Sequence, residues 1–341
     1  MIRFGIGTFV LDEVAFPGVV VGDELHDLRE IIPGVVQTRD LFSQWEAALD
    51  RIATYLQAEP APGLAYRALR DAGDLRVLPP VQPVSPILAA GANYREHIIQ
   101  MSVAHGLGRA GASADELRKD AAAELDERVR SGDPYVWTGL PSAVCGADDD
   151  VLLPDVGGDV DWEVELGVVI GRTAHRVSRE DALGYVAGYT IVNDLTARSL
   201  VPRDDMAKIG TDWFRAKNQP TFFPTGPLLI PARFVPDPSS LTIQLRLNGE
   251  LMQDATTADL AFDVPSLIAY ASSIAILQPG DLLITGSPAG NGSHWGRFLQ
   301  DGDVLESTID GLGEQRNAVR GPSGALPPWQ ASRPDAGRTD A

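Results

Sequence analysis

The 341-residue sequence predicts an α+β protein in which a small N-terminal domain precedes a larger one. Three observations lead there. Alternating strand-like runs recur along the chain, most clearly at 161–170 and 185–192. Residues 42–56 and 114–130 have helical spacing or helix-forming composition. Hydrophobic residues make up 44% and charged residues 22%, which suits a soluble globular chain long enough for one large domain and a small one.

Residues 1–80 are read as the small α+β domain. Phe4, Ile6, Thr8 and Val10 alternate like a strand, and 18–21 suggests another. Ser43-Gln44-Trp45 opens a helix whose Phe42, Trp45, Leu49, Ile52 and Leu56 form one apolar stripe. Pro60, Pro62, Pro79, Pro80, Pro83 and Pro86 punctuate the passage onward as a linker or extended entry strand. The larger domain, 81–321, begins with the apolar run Ile87–Gly91 and then GANYREHIIQM, read as a loop that presents His97. Histidine can take and return a proton near neutral pH, but taken alone His97 also fits an ordinary surface histidine. Residues 105–150 read as a lid-like insertion. His105-Gly106-Leu107-Gly108 and Gly111 are loop-like, and 114–130 is a charge-laced helix with Leu117, Ala121, Leu125 and Val129 as a thin stripe. Residues 133–137 and 138–142 are read as loop and turn.

The segment 161–198, DWEVELGVVIGRTAHRVSREDALGYVAGYTIVNDLTAR, organises the rest. Trp162, Val164, Leu166, Val168 and Ile170 share one strand face, so Glu163 and Glu165 share the other, about 6.7 Å apart. That face continues as Gly167 and Val169, unlike a solvated one. Two neighbouring carboxylates on a half-buried face repel and lose hydration, and a hard divalent ion removes both penalties. The competing reading is an edge strand kept soluble by charge. Asp194 ends the next strand-like run and offers a third oxygen ligand, with Arg198 four residues on.

Farther along, Ser178 and Asp181 have capping-box spacing, and 241–247 with Asn248-Gly249 reads as a hairpin into 250–253. Asp263 and Pro265 open a helix expected to turn Leu267, Ala271 and Ile274 to the core. Residues 282–285 read as a buried strand leading to TGSPAGNG, a glycine-rich loop able to bring amides to a carboxylate. It lacks the G-K-[ST] of a P-loop. His294 or Trp295, just beyond, is expected to line the substrate pocket or else to sit on a surface loop. Residues 322–341 read as a disordered tail.

Composition narrows the function. A net charge of −19 and a pI near 4.6 argue against nucleic acid and anionic membranes as partners. The single cysteine, Cys145, allows no intrachain disulfide and is read as a small buried hydrophobe. No run has the length of a membrane span or the pattern of a signal peptide, so the expectation is a cytoplasmic protein with a small-molecule substrate.

These residues carry a family resemblance. EVELGVVIG followed by GYTIVNDLTAR resembles the metal-binding core of the fumarylacetoacetate hydrolase superfamily, and the resemblance spans roughly 85–320. It implies a catalytic domain built on a mixed, strongly curved sheet, and a homodimer. It makes Glu163, Glu165 and Asp194 ligands of Mg²⁺, with Mn²⁺ or Ca²⁺ as substitutes. GANYREH resembles the family's G-x-N-Y-x-x-H motif, which makes His97 catalytic and puts Asn93, Tyr94 and Gln100 at the substrate. AKNQPTFFPTGP resembles the segment carrying the active-site lysine, here Lys217, with Pro220 in place of the usual aspartate. TGSPAGNG resembles the loop that holds a substrate carboxylate, through Thr285, Gly286 and Ser287. Ser199 stands where the family has an aspartate, and the glutamine usual after it is missing from the equivalent stretch. The expected activity is metal-dependent hydrolysis of a C–C bond in an acylpyruvate or related 1,3-diketo acid. Decarboxylation, keto–enol isomerisation or dehydration of a 2-keto acid would use the same enolate, and a metal-binding member without catalysis is the remaining class. Smaller members have a glutamate three residues after the histidine, where this chain has Gln100. The expectation is therefore that one of the acids of the inserted helix, Asp115, Glu116, Asp120 or Glu124 and first of all Asp115 or Glu116, reaches His97 in a closed state.

Overall fold

A computed structural model describes residues 2–104, 109 and 111–322. Within them a mixed sheet of twelve strands runs through the molecule, and a five-stranded sheet packs on one of its faces. The α+β expectation holds. At the centre of the large sheet lies Val164–Ile170, antiparallel to both Val186–Asn193 and Leu282–Ile284. This interior place excludes the reading of the acidic strand as a charged edge. Val164, Leu166, Val168 and Ile170 pack with Ile243, Leu245, Leu305 and Val319 of the five-stranded sheet. Val169, on the opposite face, packs with Leu49 and Ile52 of the helix Trp45–Gln57. The period-two alternation thus feeds two cores.

The N-terminal hairpin Gly5–Leu11 and Val14–Val21 joins the same large sheet, with Ile6 opposite Leu229 of Phe223–Pro231. Phe4, Ile6 and Val19 share a core with Ala187, Leu229 and Ile284. The predicted stripe of Trp45, Leu49, Ile52 and Leu56 is buried there too. Asn248 and Gly249, both at positive φ, make the hairpin turn between Thr242–Leu247 and Glu250–Thr256.

Several expectations need correction. Tyr135–Gly139 is a strand, not loop and turn: it pairs antiparallel with Ile87–Gly91 at the end of the sheet. Its Tyr, Val, Trp and Thr fit a pleated surface, but the run is only five residues long and its partner lies more than forty residues away, so the surrounding turn residues outweighed that signal. His97 sits in the first turn of a helix, Arg95–Ala104, rather than on a loop. Only Ile99 of that helix is buried, so it has no apolar stripe to read. In the helix Val264–Ile274 the buried positions are Val264, Leu267, Ile268, Ala271 and Ser272. Ile274 is the helix's last residue and 72% exposed, because the chain leaves the helix at Ala275. Val129 is likewise exposed, while Leu117, Ala121 and Leu125 are buried. The expected loop-like run at 105–108 and the expected disordered tail from 323 on lie outside the described residues.

Candidate metal centre and active site

The centre is built where two strands end together. Val164 and Glu165 pair with Asn193 and Val192, and the Asp194 amide donates to the Glu163 carbonyl at 2.8 Å, extending the ladder by one step. The carboxylates of Glu163, Glu165 and Asp194 are therefore neighbours, with one oxygen from each within 4.8 Å of the others. All three are buried. Lys217 reaches them from the helix Trp213–Lys217, its Nζ 2.6 Å from both Glu163 Oε2 and Asp194 Oδ2. Its third hydrogen goes to the Asp194 carbonyl at 2.9 Å, so all three are spent on protein.

Three residues absent from the predicted set complete the arrangement. Arg198 donates to Asp161 through Nε at 2.7 Å and to Glu163 Oε1 through Nη2. Asp161 is fully buried and also accepts from the amides of Gly292 and Ser293 and from the Ser293 hydroxyl. The period-two spacing of Asp161, Glu163 and Glu165 was the signal for it. Gln253 is a third such residue. It binds the Val164 amide with Oε1, and Ser287 Oγ and the Pro288 carbonyl with Nε2, which ties the glycine-rich loop to the acidic strand. No local pattern points to it.

Four buried carboxylates thus face the buried Lys217 and the half-buried Arg198, leaving two formal negative charges over. Burial, with the neighbouring carboxylates adding to it, pushes Asp194 up to about 6 and Glu165 well above the usual range. Burial acts on Glu163 in the same direction, but Arg198 and Lys217 overcome it and hold that carboxylate low. Asp194 Oδ1 is buried and accepts no hydrogen bond among the described residues. A surplus of two charges, three converging oxygens and an unpartnered lone pair fit a hard divalent ion.

The remaining predicted residues divide. Gly286 joins the centre: its amide donates to Glu165 Oε2 at 2.6 Å. Its φ of +95° and the Asn93 Cβ, which an added methyl would meet at 2.9 Å, leave room only for glycine. Tyr94 is fully buried, its hydroxyl has no partner among the described residues, and burial together with the Glu165 charge raises its pKa, keeping it a phenol. Thr285 Oγ1 is also buried without a partner. Asn93 is committed elsewhere: its amide donates to the Phe262 and Thr285 carbonyls and accepts from the Phe262 amide. Ser287 is held by Gln253. His97 is half-buried. Burial lowers its pKa, Glu163 opposes that, and Arg198 adds to it. Gln100, one helical turn on, has a buried Oε1 with no partner among the described residues. Glu116 is engaged in a capping box with Ser113, and Asp120 pairs with Arg109. His294 is exposed on a short helical turn, its ring against Trp295.

The sequence model of the fumarylacetoacetate (FAA) hydrolase C-terminal family matches residues 86–320. The chain belongs to this family. It is 32% identical over 89% of its length to a 2,4-didehydro-3-deoxy-L-rhamnonate hydrolase of Sphingomonas sp., covering 91% of that protein. It is 30% identical over 87% of its length to a mitochondrial oxaloacetate tautomerase of Xenopus laevis, covering 83% of it. Among solved structures it resembles a maleylpyruvate hydrolase of Sphingobium sp. in complex with manganese(II) and pyruvate, at 29% identity and a TM-score of 0.68. That match covers 93% of this chain and 99% of the other. Family members are therefore hydrolases, isomerases and tautomerases, and at least one binds a divalent metal and a 2-oxo acid. No helix among the described residues is long and apolar enough to cross a membrane.

Proposed function

We propose that this protein is a divalent-metal-dependent hydrolase that cleaves the C–C bond of an acylpyruvate or a related 1,3-diketo acid. The observation that carries the proposal is the surplus of two negative charges on Glu163, Glu165, Asp194 and Asp161, beside a histidine that burial keeps neutral. Mg²⁺ is the expected ion, with Mn²⁺ or Ca²⁺ able to replace it. Bound there, it would supply positive charge that stabilises an enolate. Glu163, Glu165 and Asp194 would hold it. Neutral His97 takes a proton from water, which attacks the acyl carbonyl, and later returns a proton to the pyruvate methylene carbon. Lys217 balances the carboxylates, and its action on a substrate requires exchanging one of its bonds to Glu163 or Asp194. The hydroxyls of Tyr94 and Thr285 are the donors left for substrate oxygens. Asn93 and Ser287 hold the loop in place. The same reading takes the protein as a cytoplasmic homodimer.

One observation favours a second reading. His97 has Gln100, not an acid, one turn away, and Glu116 caps its own helix. With Glu163 acting on His97 only through its charge, and no carboxylate hydrogen-bonded to the ring among the described residues, proton shuffling on an enol is easier than activation of water, which suits a tautomerase acting on a 2-oxo diacid. The test incubates the Mg²⁺-loaded protein with acetylpyruvate and, separately, with enol oxaloacetate. Acetate and pyruvate in equal amounts support the hydrolase. Accelerated enol decay without new carboxylates supports the tautomerase. Loss of neither substrate sinks both.

A further inference from the structure

A run of aromatic rings leads from the interior to the surface past Lys217. Phe223 is fully buried and lies 6.1 Å, centroid to centroid, from Trp137. Trp137 stacks on Trp213 at 6.2 Å and an interplanar angle of 21°, and Trp213 meets Tyr135 at 6.4 Å. The Lys217 ammonium sits 5.6 Å from the Trp137 ring centroid. The same ammonium touches Glu163 and Asp194, so the rings flank the candidate metal centre.

The local sequence makes room for these rings. Tyr135, Trp137 and Gly139 share one face of their strand. A methyl at Gly139 would meet Phe223 Cζ at 2.8 Å, and one at Gly91, opposite Tyr135, would meet Tyr135 Cδ1 at 2.8 Å. Trp213 stands four residues before Lys217 and so on the same helix face. Tyr135 remains 45% exposed and Trp137 and Trp213 half-buried, so the row is open to solvent. An isolated pyruvate-sized substrate needs no such wall. A planar apolar substituent beside the reacting carbonyl would bury against it.

We infer that Trp137, Trp213 and Tyr135 form the acyl subsite, and that the substrate's acyl arm is aromatic rather than a methyl group. The inference rests on the proposed reaction, acylpyruvate plus water giving a carboxylate and pyruvate. In that reaction the acyl carbon gains the water oxygen and the methylene carbon gains the proton.

The test separates binding from turnover. Dissociation constants of the Mn²⁺-loaded protein are measured by calorimetry for pyruvate and for 4-phenyl-2-oxobutanoate. The phenyl compound is expected to bind at least about tenfold tighter, as one stacked and buried ring allows. Trp213→Ala should shrink that ratio to within about threefold and Trp213→Phe should restore most of it, with Mn²⁺ affinity as the check on folding. Equal affinities in the native protein, or a ratio unchanged in Trp213→Ala, overturn the inference. Benzoylpyruvate is then assayed for hydrolysis. No cleavage despite a strong phenyl preference would overturn the hydrolase reading and leave the acyl subsite standing.

Discussion

Asp194 has one buried oxygen that accepts no hydrogen bond among the described residues and another held by Lys217. Replacing it, or Glu165, by the neutral amide removes an anionic ligand while keeping volume. Glu165→Gln and Asp194→Asn are each expected to weaken Mn²⁺ binding by about 100-fold or more with the circular dichroism spectrum unchanged. Asp161→Asn acts one step out, by loosening Arg198 and the start of the turn Gly292–Trp295. It should cost about 10- to 100-fold in Mn²⁺ affinity, read by titration calorimetry. His97 gives the pH dependence. Burial lowers its pKa, and the base must be neutral, so activity falls only as pH drops through that lowered value. At saturating metal the acid limb of kcat/KM should lie below about 6.5, the ordinary histidine value, and His97→Asn should abolish it along with most of the rate. A limb at or above that value would mean that another group titrates.

The helix Ala114–Ser131 lies against Arg95–Ala104, the helix of His97. Ion pairs of Arg118 with Glu96 and of Arg95 with Asp126 link the two, and Leu117, Ala121 and Leu125 are buried. Ser113 caps it and forms a reciprocal capping box with Glu116. Ser113→Ala should destabilise this helix by about 1 kcal/mol, seen as faster amide exchange across 114–131 while Mn²⁺ affinity stays put. If the helix is a lid, substrate should slow its exchange, and equal protection with and without substrate would count against that role. What the sequence made legible at this scale follows from locality. The strand Val164–Ile170 announced itself because its alternation is written in consecutive residues. The turn at Asn248-Gly249 was legible for the same reason, whereas Ser178 and Asp181 bond each other across a turn ahead of the helix Ala182–Tyr185 and form no capping box, because Asp181 itself stands at the helix N-cap. Tyr135–Gly139 was not, since its pairing with Ile87–Gly91 comes from across the chain. Nor was Gln253, whose bonds reach 34 to 89 residues away. Glu163, Glu165, Asp194 and Lys217 were legible as a set, but the spending of every Lys217 hydrogen on protein was not.

At the scale of the whole molecule, the first 80 residues share a sheet and a core with the acidic strand Val164–Ile170. Phe4, Ile6 and Val19 pack with Ala187 and Ile284. Heat should therefore unfold the chain in one transition, with far-UV dichroism and tryptophan fluorescence coinciding; two separated transitions would mean that residues 1–80 are an independent unit. The buried charge surplus also makes the fold a reporter of its ligand. Mn²⁺ at 100 times its Kd should add about 2.7 kcal/mol to stability and raise Tm, whereas Glu165→Gln should show no such rise. The central claim is that Glu163, Glu165 and Asp194 hold a divalent ion. Crystals grown with Mn²⁺ and measured near the manganese absorption edge test it most directly. The account predicts one strong anomalous peak about 2.1–2.3 Å from an oxygen of each of the three carboxylates. An anomalous map with no peak among them, while Lys217 still bridges Glu163 and Asp194, would contradict it.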